Sequence, residues 1–397
     1  MRLLLYTLEF PPFAGGAGVY TAGLAKGLAK LGHDVTVLAP AYKENSAEWD
    51  AKQPYRIIRI RLPESKWKVL VGAFQLLRVW ACLLPDVVFV TESGAQRSAA
   101  LALLFPIRVR YCVTVHGSEI EWYLHSKQQD SLLRRISKRL IVRLFLRAHA
   151  IVCVSHFTRK ALLQALPNLE SRTVVVYNGV DLDQWVPVST EQILNRRREL
   201  TLEGPVLLTV ARLIPEKGID TVIEALGRIV ADIPTVKYVV VGIGPDRERL
   251  EKLVAKLSLQ NSVIFTGKIS NDDLKVFYSL CDVFVMVSRP GTRIEGFGLV
   301  YAEAGAYGKP VIAGRTGGVP EAVRDGYNGI LVDPYSIDEV ERAIRTLLSN
   351  PSLAQEMGRN GRKLVEEKFN IDRMAIETLC VACGDTKRPH KKSTFRS

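Results

Sequence analysis

At 397 residues and 47% hydrophobic content, the chain is long enough for two domains, each with a core of its own. It carries no run of 18 uncharged apolar residues, and its longest candidate, 69–90, is interrupted by Arg78, Pro85 and Asp86, which argues against a spanning helix. The net charge of +13 is unevenly placed: residues 1–190 hold 24 Lys and Arg against 14 Asp and Glu, residues 191–385 hold 25 against 27, and residues 386–397 hold five bases and no acid. Anionic partners are therefore expected for the first half. The basic tail lacks interleaved aromatics apart from Phe395, so nucleic acid is not expected among them. The N-terminus lacks the marks of a signal peptide, and six cysteines follow no framework spacing, as in a protein of the reducing cytoplasm.

Short apolar runs alternate with amphipathic stretches along the chain. Strands are expected at 3–7, 34–39, 55–61, 87–91, 110–115, 150–155 and 173–177, with helices at 19–31, 131–148 and 159–166. A second series follows, with strands at 205–211, 237–242, 263–266, 283–288, 310–314 and 329–332 and helices at 219–232, 246–257, 272–280, 299–307 and 337–349. Alternation of this kind predicts α/β architecture with doubly wound parallel sheets, and two series predict two Rossmann-like domains facing a cleft. The polar segment 181–204, with Arg196-Arg-Arg198, reads as the linker.

Candidate site residues fall at strand ends. Glu295-Gly-Phe-Gly-Leu-Val-Tyr-Ala-Glu303 sets a glycine turn between two carboxylates at the head of a helix. Glycines allow a close backbone approach, helix-start amides attract anions, and flanking carboxylates suit hydroxyls; a nucleotide sugar has both features. Arg212 and Lys217 follow a strand and can clamp a diphosphate. His116-Gly117 ends another strand, where an imidazole can meet a sugar. Gly15-Gly-Ala-Gly18 resembles a dinucleotide loop, but Thr21 replaces the third glycine and the second strand ends at Pro40 with no acid for a ribose, so nicotinamide is not expected. Asp181-Leu-Asp183 reads as local capping rather than a metal site, and Cys380-x-x-Cys383 stands without a second pair.

Taken in order, Gly15–Gly18, His116-Gly117, Asn178-Gly-Val-Asp181, Arg212 with Glu216-Lys-Gly218, Gly242-Ile-Gly-Pro245, Phe265-Thr-Gly267, Glu295 to Glu303, Gly317-Gly-Val-Pro-Glu321 and Asn328-Gly-Ile-Leu331 resemble glycosyltransferase family 4, whose members have the GT-B fold and retain anomeric configuration. The resemblance spans nearly the whole chain. It implies an acceptor-binding domain over 1–184, completed by a returning helix at about 376–390, and a nucleotide-sugar domain over 195–375. It further implies that Arg212 and Lys217 hold the donor diphosphate and that Glu295, with Phe297, Gly298 and Leu299, meets the donor sugar. Glu303 would bind the ribose, Ile269 the base, Gly16 a donor phosphate and His116 the transferred sugar. Glu295 and His116 are thus the catalytic candidates; no metal and no cofactor is implied.

The segment Ser288-Arg-Pro-Gly-Thr-Arg-Ile-Glu295 and the start Phe10-Pro-Pro12 resemble phosphatidylinositol mannosyltransferase-like members, which favours GDP-mannose over UDP-sugars. Residues 131–148 carry Arg134, Arg135, Lys138, Arg139, Arg143 and Arg147 among apolar residues. They read either as a helix lying on an anionic membrane, with a lipid-linked acceptor, or as an ordinary surface helix. The expectation is a cytoplasmic hexosyltransferase, peripheral on the inner face of the membrane if the acceptor is a lipid. An epimerase or phosphorylase on the same fold, or a transferase of glucose or N-acetylglucosamine to a soluble acceptor, are the alternatives.

Overall fold

The computed structural model describes residues 1–12, 15–42, 46–65, 67–105, 109–117, 119–120, 132–184, 188–291 and 294–384. The chain divides into two compact units: residues 1–179 with the segment from Asn370, and residues 180–369. In the first, strands β1 (Arg2–Tyr6), β2 (Asp34–Pro40), β3 (Arg56–Ile60), β4 (Val87–Val90), β5 (Arg110–Val115), β6 (Ala150–Cys153) and β7 (Thr173–Val175) form a parallel sheet in the order β3-β2-β1-β4-β5-β6-β7. In the second, β8 (Val206–Val210), β9 (Lys237–Val241), β10 (Val263–Gly267), β11 (Val283–Met286), β12 (Val311–Gly314) and β13 (Gly329–Val332) run β10-β9-β8-β11-β12-β13. Central strands such as Val87–Val90 and Val283–Met286 are buried throughout, as parallel strands covered on both faces must be.

Every strand and helix expected from the two series is present, most of them with shifted ends. The longer helices not anticipated are Lys68–Leu83, Ser93–Ala102 and Pro351–Lys368, and the short ones are Ala47–Ala51 and Val319–Ala322. The first was hidden in an apolar run without a clear stripe, and the second in a run of Ala and Ser too small to mark a face. Residues 190–199, read as linker, form a helix of the second unit, opened by a Ser189/Gln192 capping box. Arg196 pairs with Asp273 and lies over the Phe277 ring, while Arg197 donates to the carbonyls of Leu280 (3.3 Å) and Gly204 (2.7 Å). The arginine run looked like a solvated linker because its partners lie far along the chain.

The return to the first unit begins at Asn370, earlier than residue 376. Asn370 caps the helix Ile371–Cys383, accepting from the Arg373 amide at 2.8 Å. That helix packs on the helix Gly16–Lys30 at Gly23 and Gly27, where a Cβ on Gly27 would lie 2.8 Å from the Ile371 carbonyl oxygen. Ile371, Met374, Ala375, Val381 and Ala382 join the core of the first unit. Cys380 is partly buried and Cys383 exposed on this helix. The tail 385–397 lies outside the described residues.

In the second unit the loop Gly242-Ile-Gly-Pro245 lies backbone against backbone on residues 211–213. Leu213 N–H donates to Ile243 O at 3.0 Å and Asp246 N–H to Leu213 O at 3.1 Å. Gly242 has φ +139, and a Cβ there would sit 1.9 Å from Ala211 O. Gly242→Ala is expected to destabilise the second unit by about 2–4 kcal/mol, since both the backbone angle and a carbonyl oppose it. Chemical denaturation checks this, with Gly227→Ala as the control: it sits in a helix with only methyl groups of Leu257 and Leu259 within 4 Å.

Candidate functional site

In both sheets the strand order turns back beside the first strand, β1 in one unit and β8 in the other. Connections leaving the two central strands there run to opposite sides, so the carboxyl edge opens into a crevice where α/β proteins hold ligands. Most of the donor candidates lie at the β8/β11 switch. Arg212 follows β8 and is exposed, with no side-chain hydrogen bond or ion pair among the described residues. Lys217 closes the short 3-10 turn Pro215–Lys217, its amide donating to Ile214 O at 3.0 Å. Gly218 then takes φ +66, and a Cβ there would lie 2.2 Å from Val287 O, so the turn is pressed onto the end of β11.

The segment after β11 brings Glu295 to Lys217. Glu295 Oε2 accepts from Lys217 Nζ at 2.5 Å and from Ser288 Oγ at 3.5 Å. The two charged side chains keep only 22% and 17% of their exposure. Glu295 O accepts from the Gly318 amide at 2.9 Å, fixing the backbone that carries the carboxylate. Gly298, at φ +84, opens the helix Leu299–Ala306, whose first turn has no acid and no side-chain cap. A Cβ on Gly298 would lie 2.4 Å from the Tyr301 ring and 3.6 Å from Glu295 Cγ. Tyr301 itself donates to Met286 O at 2.8 Å, tying the helix to β11. Phe297 turns inward onto Phe369, centroids 5.2 Å apart, and is buried. Leu299 is buried as well.

Glu303 is partly buried on the same helix and accepts from Tyr278 Oη at 2.8 Å. Burial pushes its carboxyl above the ordinary value, and the tyrosine hydrogen bond works in the opposite direction. Tyr278 is stacked between Tyr307 and Phe284, at 5.7 and 5.8 Å. The sequence gives no signal for this pairing, because a buried aromatic 25 residues away looks like core. Ile269 sits apart, between Gly267 and the helix cap Ser270 at the end of β10, two strands removed from β8. Arg289 is fastened elsewhere: it pairs with Asp220 at 2.8 Å, donates to Thr221 Oγ1 and stacks on Tyr335. Its charge holds the loop rather than facing the crevice. Thr292 and Arg293 lie outside the described residues.

Gly16 and His116 belong to the first unit. Gly16 begins a helix with open space where a Cβ would stand, whereas one on Gly15 would meet the Glu9 carboxyl. His116 Nε2 lies 2.8 Å from Thr91 O, and because a carbonyl only accepts, the ring donates there and leaves Nδ1 as an acceptor. Burial pushes the imidazole below its usual value, towards the neutral form. Glu119, which sequence reasoning missed, accepts from the amides of His116 (3.0 Å) and Gly117 (2.9 Å) and so shapes this turn, where Gly117 has φ +114. Asp181 Oδ1 accepts from the Asp183 amide at 3.2 Å, a local turn. Among the described residues no group of three or more His, Cys, Asp or Glu could hold a metal ion.

Two family models match the chain: "Glycosyltransferase Family 4" over residues 14–184 and "Glycosyl transferases group 1" over 191–364. The chain is 33% identical over 378 residues to the GDP-mannose-dependent alpha-(1-6)-phosphatidylinositol monomannoside mannosyltransferase of Mycolicibacterium smegmatis, covering 91% of this chain and 92% of that one. It is 26% identical to the GDP-mannose-dependent monoacylated alpha-(1-6)-phosphatidylinositol monomannoside mannosyltransferase of Corynebacterium glutamicum, covering 94% and 95%. Among solved structures, Anabaena Alr3699/HepE in complex with UDP-glucose aligns with a TM-score of 0.78 at 24% identity, covering 96% of this chain and 99% of that one.

Glu119 generates a pH test. Burial raises its carboxyl to about 7, above the unfolded value, so its contribution to stability is complete below the unfolded value and is lost as pH rises through about 7. Glu119→Gln keeps an oxygen for the two amides and cannot ionise. Between pH 5 and pH 8 the variant is expected to gain roughly 2–3 kcal/mol on the wild type in unfolding free energy of the first unit. Denaturant titrations across that range check it; parallel pH profiles would refute the burial of an ionisable carboxyl there.

Proposed function

The chain belongs to the family 4 and group 1 glycosyltransferases, and from that premise we propose that it moves mannose from GDP-mannose, with retention of configuration, to a lipid-linked acceptor. The observation that carries the donor assignment is the meeting of Lys217, Glu295 and the helix headed by Gly298 at the β8/β11 switch. As the bond between the sugar and the diphosphate breaks, negative charge grows on the leaving phosphate. Arg212 and Lys217 stand where they can neutralise it. Glu295 takes hydroxyls of the hexose, Glu303 takes the ribose hydroxyls, and the backbone at 297–299 and at Ile269 meets sugar and base. In the first unit, Gly16 leaves room for a phosphate to approach a helix start, and neutral His116 offers Nδ1 to a sugar hydroxyl. The leaving phosphate accepts the proton of the attacking acceptor hydroxyl on the same face of the sugar, which gives retention without a carboxylate nucleophile. Mannose and GDP are favoured because the relatives named above use them.

The lipid acceptor rests on those relatives and on the surface of the first unit. The basic helix Leu132–Arg147 buries Ile141, Leu144 and Phe145 in the core and leaves Ile136 and Leu146 exposed among its cations. The helix Lys68–Leu83 is the more apolar surface: Trp67 (65% exposed), Leu70 and Phe74 (64%) fall at one helical face, flanked by Lys68 and Arg78. It packs on Ser93–Ala102, which packs on Leu132–Arg147, so the apolar and basic helices belong to one layer. Aromatic side chains backed by cations fit the interface of an anionic membrane. No helix among the described residues is long and apolar enough to cross a membrane.

Arg212→Ala or Lys217→Ala is expected to cost about 2–3 kcal/mol in kcat/KM for GDP-mannose, while Glu303→Gln raises donor KM more than it lowers kcat. Steady-state kinetics with GDP-mannose, UDP-glucose and UDP-N-acetylglucosamine decide donor and roles together; turnover with a UDP-sugar alone would replace the mannose assignment. For the surface, flotation at low salt with vesicles containing anionic lipid should carry the wild type upward. Trp67→Ser with Phe74→Ser, or Arg135, Arg139 and Arg143 changed to Glu, should leave it behind. Equal flotation of all three would refute the membrane face.

A further inference from the structure

Lys217 and Glu295 serve different parts of the donor in the reading above, yet here they hold each other. Their loops leave two different strands, β8 and β11, and each is braced. Lys217 sits in a one-turn helix closed by its own amide and by Gly218 against Val287 O, while Glu295 O is held by the Gly318 amide. The 2.5 Å contact is mostly withdrawn from water. An ion pair so placed strongly resists losing one partner, because the charge left behind stays poorly hydrated. An ammonium is a single compact charge and cannot serve a carboxylate and a diphosphate at full strength together. Arg212, by contrast, is exposed and has no such competitor among the described residues.

We propose that the Lys217–Glu295 pair is a latch that couples the diphosphate and hexose subsites and discriminates against the bare nucleoside diphosphate. A bare diphosphate can recruit Lys217 only by stranding Glu295. A nucleotide sugar brings hydroxyls that donate to Glu295 as Lys217 turns to the phosphates, so neither charge is left alone. After transfer the hexose departs with the acceptor, Glu295 reclaims Lys217, and the nucleoside diphosphate leaves. The latch rests on the donor assignment above and adds to it the order in which contacts exchange.

The test is a double-mutant cycle of binding by calorimetry, with GDP and UDP as probes and wild type, Glu295→Gln, Lys217→Ala and the double variant as proteins. Removing Glu295 is expected to tighten nucleoside diphosphate binding roughly 3- to 10-fold, and that gain is expected to vanish when Lys217 is already absent. An equal gain in both backgrounds would mean simple repulsion between Glu295 and the phosphates and would overturn the latch, as would no gain at all. If neither GDP nor UDP binds the wild type, the donor assignment itself fails, an outcome distinct from an additive cycle. Glu295→Asp, which keeps the charge and shortens its reach, is the second variant should the amide fail to fold. It should show the same direction with a smaller gain.

Discussion

The constraint on which the second unit depends is the direct contact of main chain with main chain at the carboxyl edge of its sheet. Loops leaving β8, β9, β11 and β12 are stacked without side chains between them. Besides Gly218 and Gly242, a Cβ on Gly314 would lie 2.4 Å from Ser288 O, and one on Gly317 would lie 2.3 Å from Glu295 O. Such packing is stiff, since carbonyls and amides have no rotamers to relax into. It sets Lys217, Glu295 and the head of the helix Leu299–Ala306 at fixed offsets, and a ligand then meets preset charges instead of ordering them on arrival.

Charge in this unit is sorted by that framework. Cations that would otherwise widen the positive field are tied down for structure: Arg289 to Asp220 and Thr221, Arg249 to Asp246 and Asp220, Arg196 to Asp273. Arg212 and Lys217 differ, one exposed without an ion pair and one bonded to the carboxylate with which it shares the site. A unit whose acids and bases nearly balance overall thus presents one exposed cation at the switch, Arg212, and a second held by Glu295. The first unit spends its charges differently, with Glu92 accepting the amides that open the helix Ser93–Ala102 and Glu119 accepting those of the His116 turn.

Sequence reading reached the sheets because buried parallel strands are short, apolar and regularly spaced, a signal that survives without contacts. It singled out Arg212, Lys217, Glu295 and Glu303 as candidates because glycines beside charged residues at strand ends are a local pattern. It did not reach Tyr278, which resembles any buried tyrosine until Glu303 is placed over it, nor the Lys217–Glu295 bond, whose partners are 78 residues apart. Residues 190–199 misled for a related reason: a run of arginines is polar in sequence whether or not it finds an acid and carbonyls to bind. The role of Arg289 was equally hidden, since its basic segment looks like a ligand-facing loop until its partners are seen.

The docking of Ile371–Cys383 onto Gly23 and Gly27 has a consequence for biosynthesis. The first unit takes part of its core from Ile371 to Ala382, residues synthesised after the whole of the second unit. Domains often fold in order of synthesis, but here the earlier unit must wait with the groove around Gly23 and Gly27 uncovered. The later unit, contiguous from Val180 to Phe369, can close on its own. The first half of this chain is therefore the last to be finished, and a message truncated at about codon 370 yields a complete second unit joined to an unsealed first one.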